Sequence, residues 1–137
     1  MLSKPTLSQN EISHIMAAAK QEAGRNNWVV TISIVDDGGH PLALERLDGC
    51  APIAAYISME KARTAALGRR ASADYEEMIN KGRNAFLSAP NLAGMLEGGV
   101  PIVIGTHVVG AVGVSGVKAD QDAQIAKAGA AAINTIA

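Results

Sequence analysis

Two sets of polar residues have types and spacings that could do chemistry. The first is Glu11 with His14, which share the Glu-x-x-His spacing used by di-iron helical bundles. A single copy lacks the partner helices that complete such a site. At about 100° per residue, His14 lies away from the apolar stripe of its helix. We therefore expect His14 to be exposed, either as an ordinary surface histidine or as a ligand to a bound group.

The second set combines cations with apolar surroundings. Arg46 ends an otherwise apolar strand face, and Lys61 lies in an Ala-rich helix that should pack near that strand. A buried cation at this place needs a carboxylate, which the protein or a bound ligand can provide. Structural ion pairing and ligand binding therefore both stay open for these two residues.

The segment from Ser115 to Asp120 adds a possible anion site to the second set. It joins a predicted strand to a predicted helix, and such a junction offers free backbone amides and the positive end of a helix. The alternative is that Gly116 only turns the chain and that the aspartates only cap the helix. No Gly-Lys-Ser/Thr follows, so the junction is not a P-loop. The candidate ligand pocket comprises Arg46, Lys61, Ser115, Gly116 and Asp120.

No catalytic residue can be named from the sequence, and whether the protein is an enzyme stays open. Spacing indicates no Ser-His-Asp arrangement, no paired carboxylates and no metal-ligand cluster. His40 and His107 fall in predicted hairpin tips, where polar residues are expected for solubility alone. Cys50 is the single cysteine, which excludes an internal disulfide and is typical of a small apolar filler in a reducing compartment.

The composition limits the classes of protein to which the chain can belong. With 137 residues, it has the size of a single domain, 1–137, that needs no metal or disulfide. A net charge of -1 without long charge runs lacks the footprint of a nucleic-acid binder. No apolar run is long enough for a signal peptide or a membrane span. We therefore expect a cytoplasmic protein that binds neither nucleic acid nor membrane.

The elements that must position these residues follow from periodicity and turn chemistry. Ser8 stands three residues before Glu11, a capping-box spacing, and an apolar helical period continues to Gly24. Residues 28–35 and 41–47 form two predicted strands around an Asp-Gly-rich turn. An Ala-rich helix is predicted over 53–67, and a further helix begins at Ser72, which should cap it.

The second half of the chain is predicted in the same way. Residues 81–99 are broken by Gly and Pro, and we expect a loop with one short strand near 93–96. Residues 100–104 and 108–115 form a second hairpin, whose last strand has a face with little side-chain bulk that lets a helix or a ligand approach. Asp120 or Asp122 opens a last helix over 121–136. The fold class is α/β (α+β), with an antiparallel sheet and the order α-β-β-α-α-(β)-β-β-α.

Five ordered motifs together resemble the GlcG/HbpS family, which includes the C-terminal domain of PduO-type corrinoid adenosyltransferases. The resemblance covers nearly the whole chain. The motifs are VDDGGH at 35–40, RLDG at 46–49, KARTA at 61–65, GGVP at 98–101 and GAVGVSG at 110–116.

This resemblance implies a profilin-like fold with about five antiparallel strands flanked by helices, assembling into homo-oligomers up to octamers. It also implies haem as a possible cofactor, in some members with haem degradation, and a place in a catabolic operon. In the PduO-type domain the axial haem ligand lies on the first helix, where His14 is the matching residue. On this interpretation His14 and Glu11 bind the cofactor, and His14 contacts metal only through haem iron. The alternative is an organic-acid-binding protein or enzyme that uses the pocket near Arg46 and Lys61.

Overall fold

Four helices and four strands make up most of the chain in a computed structural model that describes residues 1–136. Two short 3₁₀ helices complete the secondary structure of these residues, at Asn84–Ser88 and Ala132–Thr135. The main elements are α1 (Gln9–Arg25), β1 (Thr31–Asp36), β2 (Pro41–Arg46), α2 (Ile53–Gly68), α3 (Ser72–Asn80), β3 (Gly99–Ile104), β4 (His107–Ser115) and α4 (Ala119–Ala131). Within residues 1–136, no helix combines the length and apolarity needed to cross a membrane.

The strands form one antiparallel sheet in the order β2-β1-β4-β3. Both predicted hairpins are confirmed, and they join because β1 pairs with β4, from Thr31 opposite Ser115 to Asp36 opposite Gly110. The described residues thus contain four strands, where about five were expected. Residues 93–96, where a short strand was expected, have no regular secondary structure. They pair with no strand of the sheet, and Gly94 packs instead against the α2 backbone, where a Cβ would lie 2.3 Å from the carbonyl carbon of Glu60.

Each face of the sheet carries its own helical layer. Val30, just before β1, and the alternate β1 residues Ile32 and Ile34 pack with the buried stripes of α1 and α4 in the larger core. On the opposite face, Val35 of β1 packs against alanines of α2 in a smaller core. Both faces of the first strand are therefore covered. Because residues 31–35 of β1 are buried, with both faces of the strand covered, β1 lies at the centre of the domain.

The helix α2 lies almost directly on the backbone of β4 and β3. A Cβ at Gly113 would lie 2.0 Å from the carbonyl oxygen of Ser58, and one at Gly99 would lie 2.1 Å from that of Lys61. The bulk-free face predicted for the last strand therefore accommodates a helix. Hydroxyl groups take part in the same contact, since Ser33 and Ser58 are joined by a 2.7 Å hydrogen bond.

The structure confirms the predicted start of α1 and corrects the predicted cap of α3 and the predicted start of α4. The capping box of α1 is present, with the Ser8 amide donating to Glu11 Oε2 at 3.1 Å. Ser72 does not cap α3, whose N-cap is Ala71; the Ser72 hydroxyl instead accepts from the Gly99 amide at 2.8 Å and donates to the Leu96 carbonyl. The last helix begins at Ala119, before either candidate aspartate, and tightens into a 3₁₀ turn after Ala131.

Candidate functional site

His14 projects from the outer side of α1 into solvent, as its helical position predicts. Among residues 1–136, its imidazole has no hydrogen-bond or ion-pair partner. The ring nitrogens therefore stay available to a metal ion or a ligand, the role for which neutral imidazole is the commonest side chain. Glu11, one turn earlier, is engaged in capping α1. Its carboxylate thus fixes the start of the helix that presents His14.

A shallow open groove of about 640 Å³ surrounds His14. Its volume lies in the range of small-molecule sites, and its walls are built mostly from small side chains, which leave a flat surface beside the imidazole. Lys20 provides a cation at the edge of the groove, although its ammonium also contacts Glu45 at 3.1 Å. The groove is lined by His14, Ala17, Ala18, Lys20 and Gln21 of α1, together with Ala132 and Thr135.

The residues around His14 fit one side of a planar metal complex and do not build a metal site by themselves. In the described part of the chain, no three His, Cys, Asp or Glu side chains cluster as metal ligands. Haem iron needs only a single protein ligand on its proximal side, which one imidazole can supply. The donor set is therefore compatible with haem and not with a bare metal ion held by several side chains.

Arg46 lines a different groove. It ends β2 opposite Thr31 and lines a cleft of about 370 Å³ that it shares with Lys20, Glu45, Leu47 and Asp48. The cleft mixes two cations with two carboxylates, so its charge is nearly balanced. Lys20 lines both this cleft and the His14 groove, whereas Lys61 lines neither.

Lys61 is sealed inside the protein. Its Nζ donates to the Val114 carbonyl at 2.9 Å and to Asp122 Oδ2 at 3.1 Å, and only about one twentieth of either side chain is exposed. Burial raises the pKa of the Asp122 carboxyl, and the Lys61 ammonium and the Val117 amide offset this effect in part. The carboxylate that Lys61 was expected to need is thus supplied by α4 of the same chain.

The strand-to-helix junction is also occupied by the protein's own groups. The Val117 amide donates to Asp122 Oδ1 at 3.1 Å and the Lys118 amide donates to Gln121 Oε1 at 3.3 Å. Ser115 is buried and Asp120 is exposed. Gly116 (φ 142°) lies so close to the residues that precede β1 that a Cβ would be 2.7 Å from the Val29 carbonyl oxygen. The five residues of the candidate pocket therefore do not line one cavity, and their contact with a ligand stays a prediction.

A third groove was not predicted from the sequence. It has a volume of about 400 Å³ and lies between α3 and the irregular segment that precedes β3. Its apolar residues do not share one period, because they come from a helix, a 3₁₀ turn and a loop. The signal for this groove in the sequence was three leucines, Leu87, Leu92 and Leu96, in a stretch that is interrupted by glycine. The lining residues are Glu76, Ile79, Asn80, Leu87, Leu92, Ala93, Met95 and Leu96.

Comparison with known proteins establishes the family. The family model described as haem degrading protein HbpS-like matches residues 7–131. Protein GlcG of Escherichia coli K12 is 62% identical over 115 residues, which cover 84% of this chain and 85% of that protein. The chain belongs to the HbpS-like family. The resemblance inferred from the five motifs is thus confirmed, and all five motifs lie within the matched residues.

Solved structures share this HbpS-like fold. Klebsiella pneumoniae protein ORFY superposes with a TM-score of 0.92 at 25% identity, covering all of this chain and 97% of that one. The PduOC:heme complex superposes with a TM-score of 0.87 at 24% identity over 95% of this chain and 96% of that one. These likenesses confirm the α+β architecture predicted from the sequence.

Proposed function

We propose that this HbpS-like protein functions as a single domain that binds haem or a related tetrapyrrole, with His14 as the axial ligand to iron. In this proposal it is a homo-oligomeric accessory protein of a catabolic operon, serving as a haem sensor, carrier or haem-degrading protein. Bound haem would supply the redox and oxygen chemistry, while the chain would supply the axial ligand and the flat surface beside it.

The free imidazole of His14 carries this proposal. Its side chain is exposed, has no hydrogen-bond or ion-pair partner among residues 1–136, and lines a groove with Ala17, Ala18 and Ala132. The other two histidines, His40 and His107, lie at hairpin tips, and His40 Nδ1 contacts Asp36 at 3.0 Å. The His14 side chain, by contrast, lines a groove of about 640 Å³.

Two further considerations support haem as the ligand. The family description names haem degradation, and a protein of similar fold, PduOC, forms a heme complex. The groove on α1 is open, so one chain would cover only one side of a porphyrin. A second copy of the chain is the natural cover for the other side, because apolar cofactor surface left in water is unfavourable.

Haemin titration of the purified protein tests the proposal. We expect a shifted Soret band in the wild type, and His14→Ala should weaken binding at least about tenfold, a loss of about 1.4 kcal/mol or more. His107→Ala is the matched control, since it removes an exposed histidine from a hairpin tip and should bind like the wild type. An unshifted Soret band in the wild type, or equal binding by both variants, contradicts the proposal.

The alternative function, binding of an organic acid, depends on Arg46. Lys61 is sealed with Asp122, so Arg46 and Lys20 are the cations that an anion can reach from the shared cleft. Thermal-shift screening with small carboxylates should then find a stabilising ligand whose effect Arg46→Ala removes and His14→Ala retains. A stabiliser that is insensitive to Arg46→Ala, or the absence of one, removes this alternative.

A further inference from the structure

The outward face of α2 carries an unusual set of exposed residues. Tyr56 is 76% exposed, Ile53 is 64% exposed and Leu67 is 39% exposed, all on the side of the helix that points away from the sheet. Between them lie Glu60 and Arg63, which pair with each other at 2.9 Å. Positions 53, 56, 60, 63 and 67 fall within about 80° of one another at 100° per residue, so they form one stripe.

The stripe is complementary to itself. If two copies of α2 run antiparallel about a two-fold axis centred between residues 61 and 62, Glu60 faces the partner's Arg63. The same axis places Tyr56 opposite the partner's Leu67. Two apolar contacts then flank two reciprocal ion pairs, which is the arrangement required of an isologous interface. A partner surface of single charge would leave Glu60 or Arg63 facing a like charge.

The sheet extends this surface beyond the helix. Leu44 of the edge strand β2 lies opposite Ser33, whose hydroxyl contacts Ser58 of α2, so Leu44 is on the α2 side of the sheet and is 42% exposed. The β1–β2 turn also adjoins the stripe, because a Cβ at Gly39 would lie 3.5 Å from the side chains of Arg63 and Leu67. The exposed apolar area is therefore wider than one helix.

We propose that this stripe of α2, with Leu44 at its edge, is a two-fold interface with a second copy of the chain. The inference rests on the homo-oligomer named in the proposed function, but it uses the opposite layer from His14. An aromatic side chain flanked by complementary charges is typical of the energetically dominant part of such interfaces. The interface leaves the α1 groove free, so haem binding and this pairing are separate properties.

Charge reversal followed by sedimentation velocity tests the pairing. Glu60→Arg alone and Arg63→Glu alone each place like charges across the axis, and each should reduce the assembly mass, with dissociation at least about tenfold easier. Mixing the two variants in equal amounts creates pairs that are opposite in charge at both contacts. The mixture should therefore regain the wild-type mass. Tyr56→Ala should also weaken assembly, with an unchanged circular dichroism spectrum.

The results separate this inference from the proposed function. Wild-type protein that sediments as a monomer, single variants with wild-type mass, or a mixture that does not recover each overturns the α2 interface. A variant that has lost its circular dichroism spectrum is replaced by Glu60→Gln or Arg63→Gln, which should weaken assembly less. Haemin binding is measured in parallel, and its loss in His14→Ala with intact assembly tests the haem proposal alone.

Discussion

The buried pair between Lys61 and Asp122 allows a quantitative prediction about stability. Lys61→Met removes the ammonium and leaves the Asp122 carboxyl in the interior, with the Val117 amide as its remaining partner. Removing one member of a buried ion pair costs about 3–5 kcal/mol, because the other charge is left unpaired. For a domain of this size we expect a decrease in the unfolding temperature of about 10–20 °C.

Urea unfolding at fixed protein concentration measures this loss, with the fluorescence of Trp28, the single tryptophan, as the signal. Lys127→Met is the matched control, since Lys127 is exposed on α4 and its loss should change stability by less than about 0.5 kcal/mol. Asp122→Asn completes a double-mutant cycle, and the double variant should cost about 1–3 kcal/mol less than the two single losses added together.

The pH dependence of Lys61→Met gives a second measurement. Burial already raises the pKa of Asp122, and the Lys61 ammonium offsets part of this effect. Without the ammonium, the pKa of Asp122 should rise further. A carboxyl whose pKa is raised in the folded state is protonated at low pH and costs little stability there. It destabilises the folded protein as pH rises through that pKa. The deficit of Lys61→Met should therefore be smaller at acidic than at neutral pH. A deficit no larger than that of Lys127→Met, or one independent of pH, would refute the reasoning.

Three further predictions concern other contacts. Gly113→Val places a side chain where a Cβ would lie 2.0 Å from the Ser58 carbonyl oxygen. Urea unfolding should therefore show that the free energy of unfolding falls by more than about 3 kcal/mol, or no folded protein should form. Gly24→Ala is the control, since nothing lies within 4 Å of that position, and it should be neutral or stabilising. Thr64→Val removes a buried hydroxyl that has no partner among the described residues, and should raise the unfolding temperature, since an unsatisfied group costs about 1–3 kcal/mol. Burial raises the pKa of Asp36, but amide hydrogen bonds from His40 and Gly38 outweigh this effect and hold the pKa below 3.8. Stability should therefore fall as pH falls through that lowered pKa. Asp36→Asn should flatten this acid limb in a plot of the urea midpoint against pH. An unchanged acid limb in Asp36→Asn would count against that assignment.

Local signals predicted most of the elements. The Ser8 and Glu11 spacing, the Asp-Gly turn and the apolar periods each describe contacts between residues that are close in sequence. Such contacts are visible without the fold, so α1 and both hairpins were predicted within a few residues. Ser72 shows the limit of this reasoning. Its type and position are typical of a cap, but its hydroxyl bridges to Leu96 and Gly99, which the sequence gives no reason to place there.

The candidate site was less accessible to prediction for the same reason. Lys61 and Asp122 are 61 positions apart, and nothing in their local sequence distinguishes this pairing from a ligand contact. Arg46 and Lys61 were expected near each other because one ends a strand and the other lies in the covering helix. The structure instead brings Arg46 to the cleft shared with Lys20. Only the exposure of His14 followed from helical period alone.

The direct contact of α2 with the sheet has a consequence for motion. At Gly113 and Gly99 no side chains separate the helix from the strands, so α2 cannot slide without backbone atoms colliding. The opposite layer meets the sheet through Ile12, Ile15 and Ile125, whose rotamers can adjust to small shear displacements. The sheet and α2 therefore act as a fixed frame, and α1 with α4 is the layer whose packing against that frame can adjust.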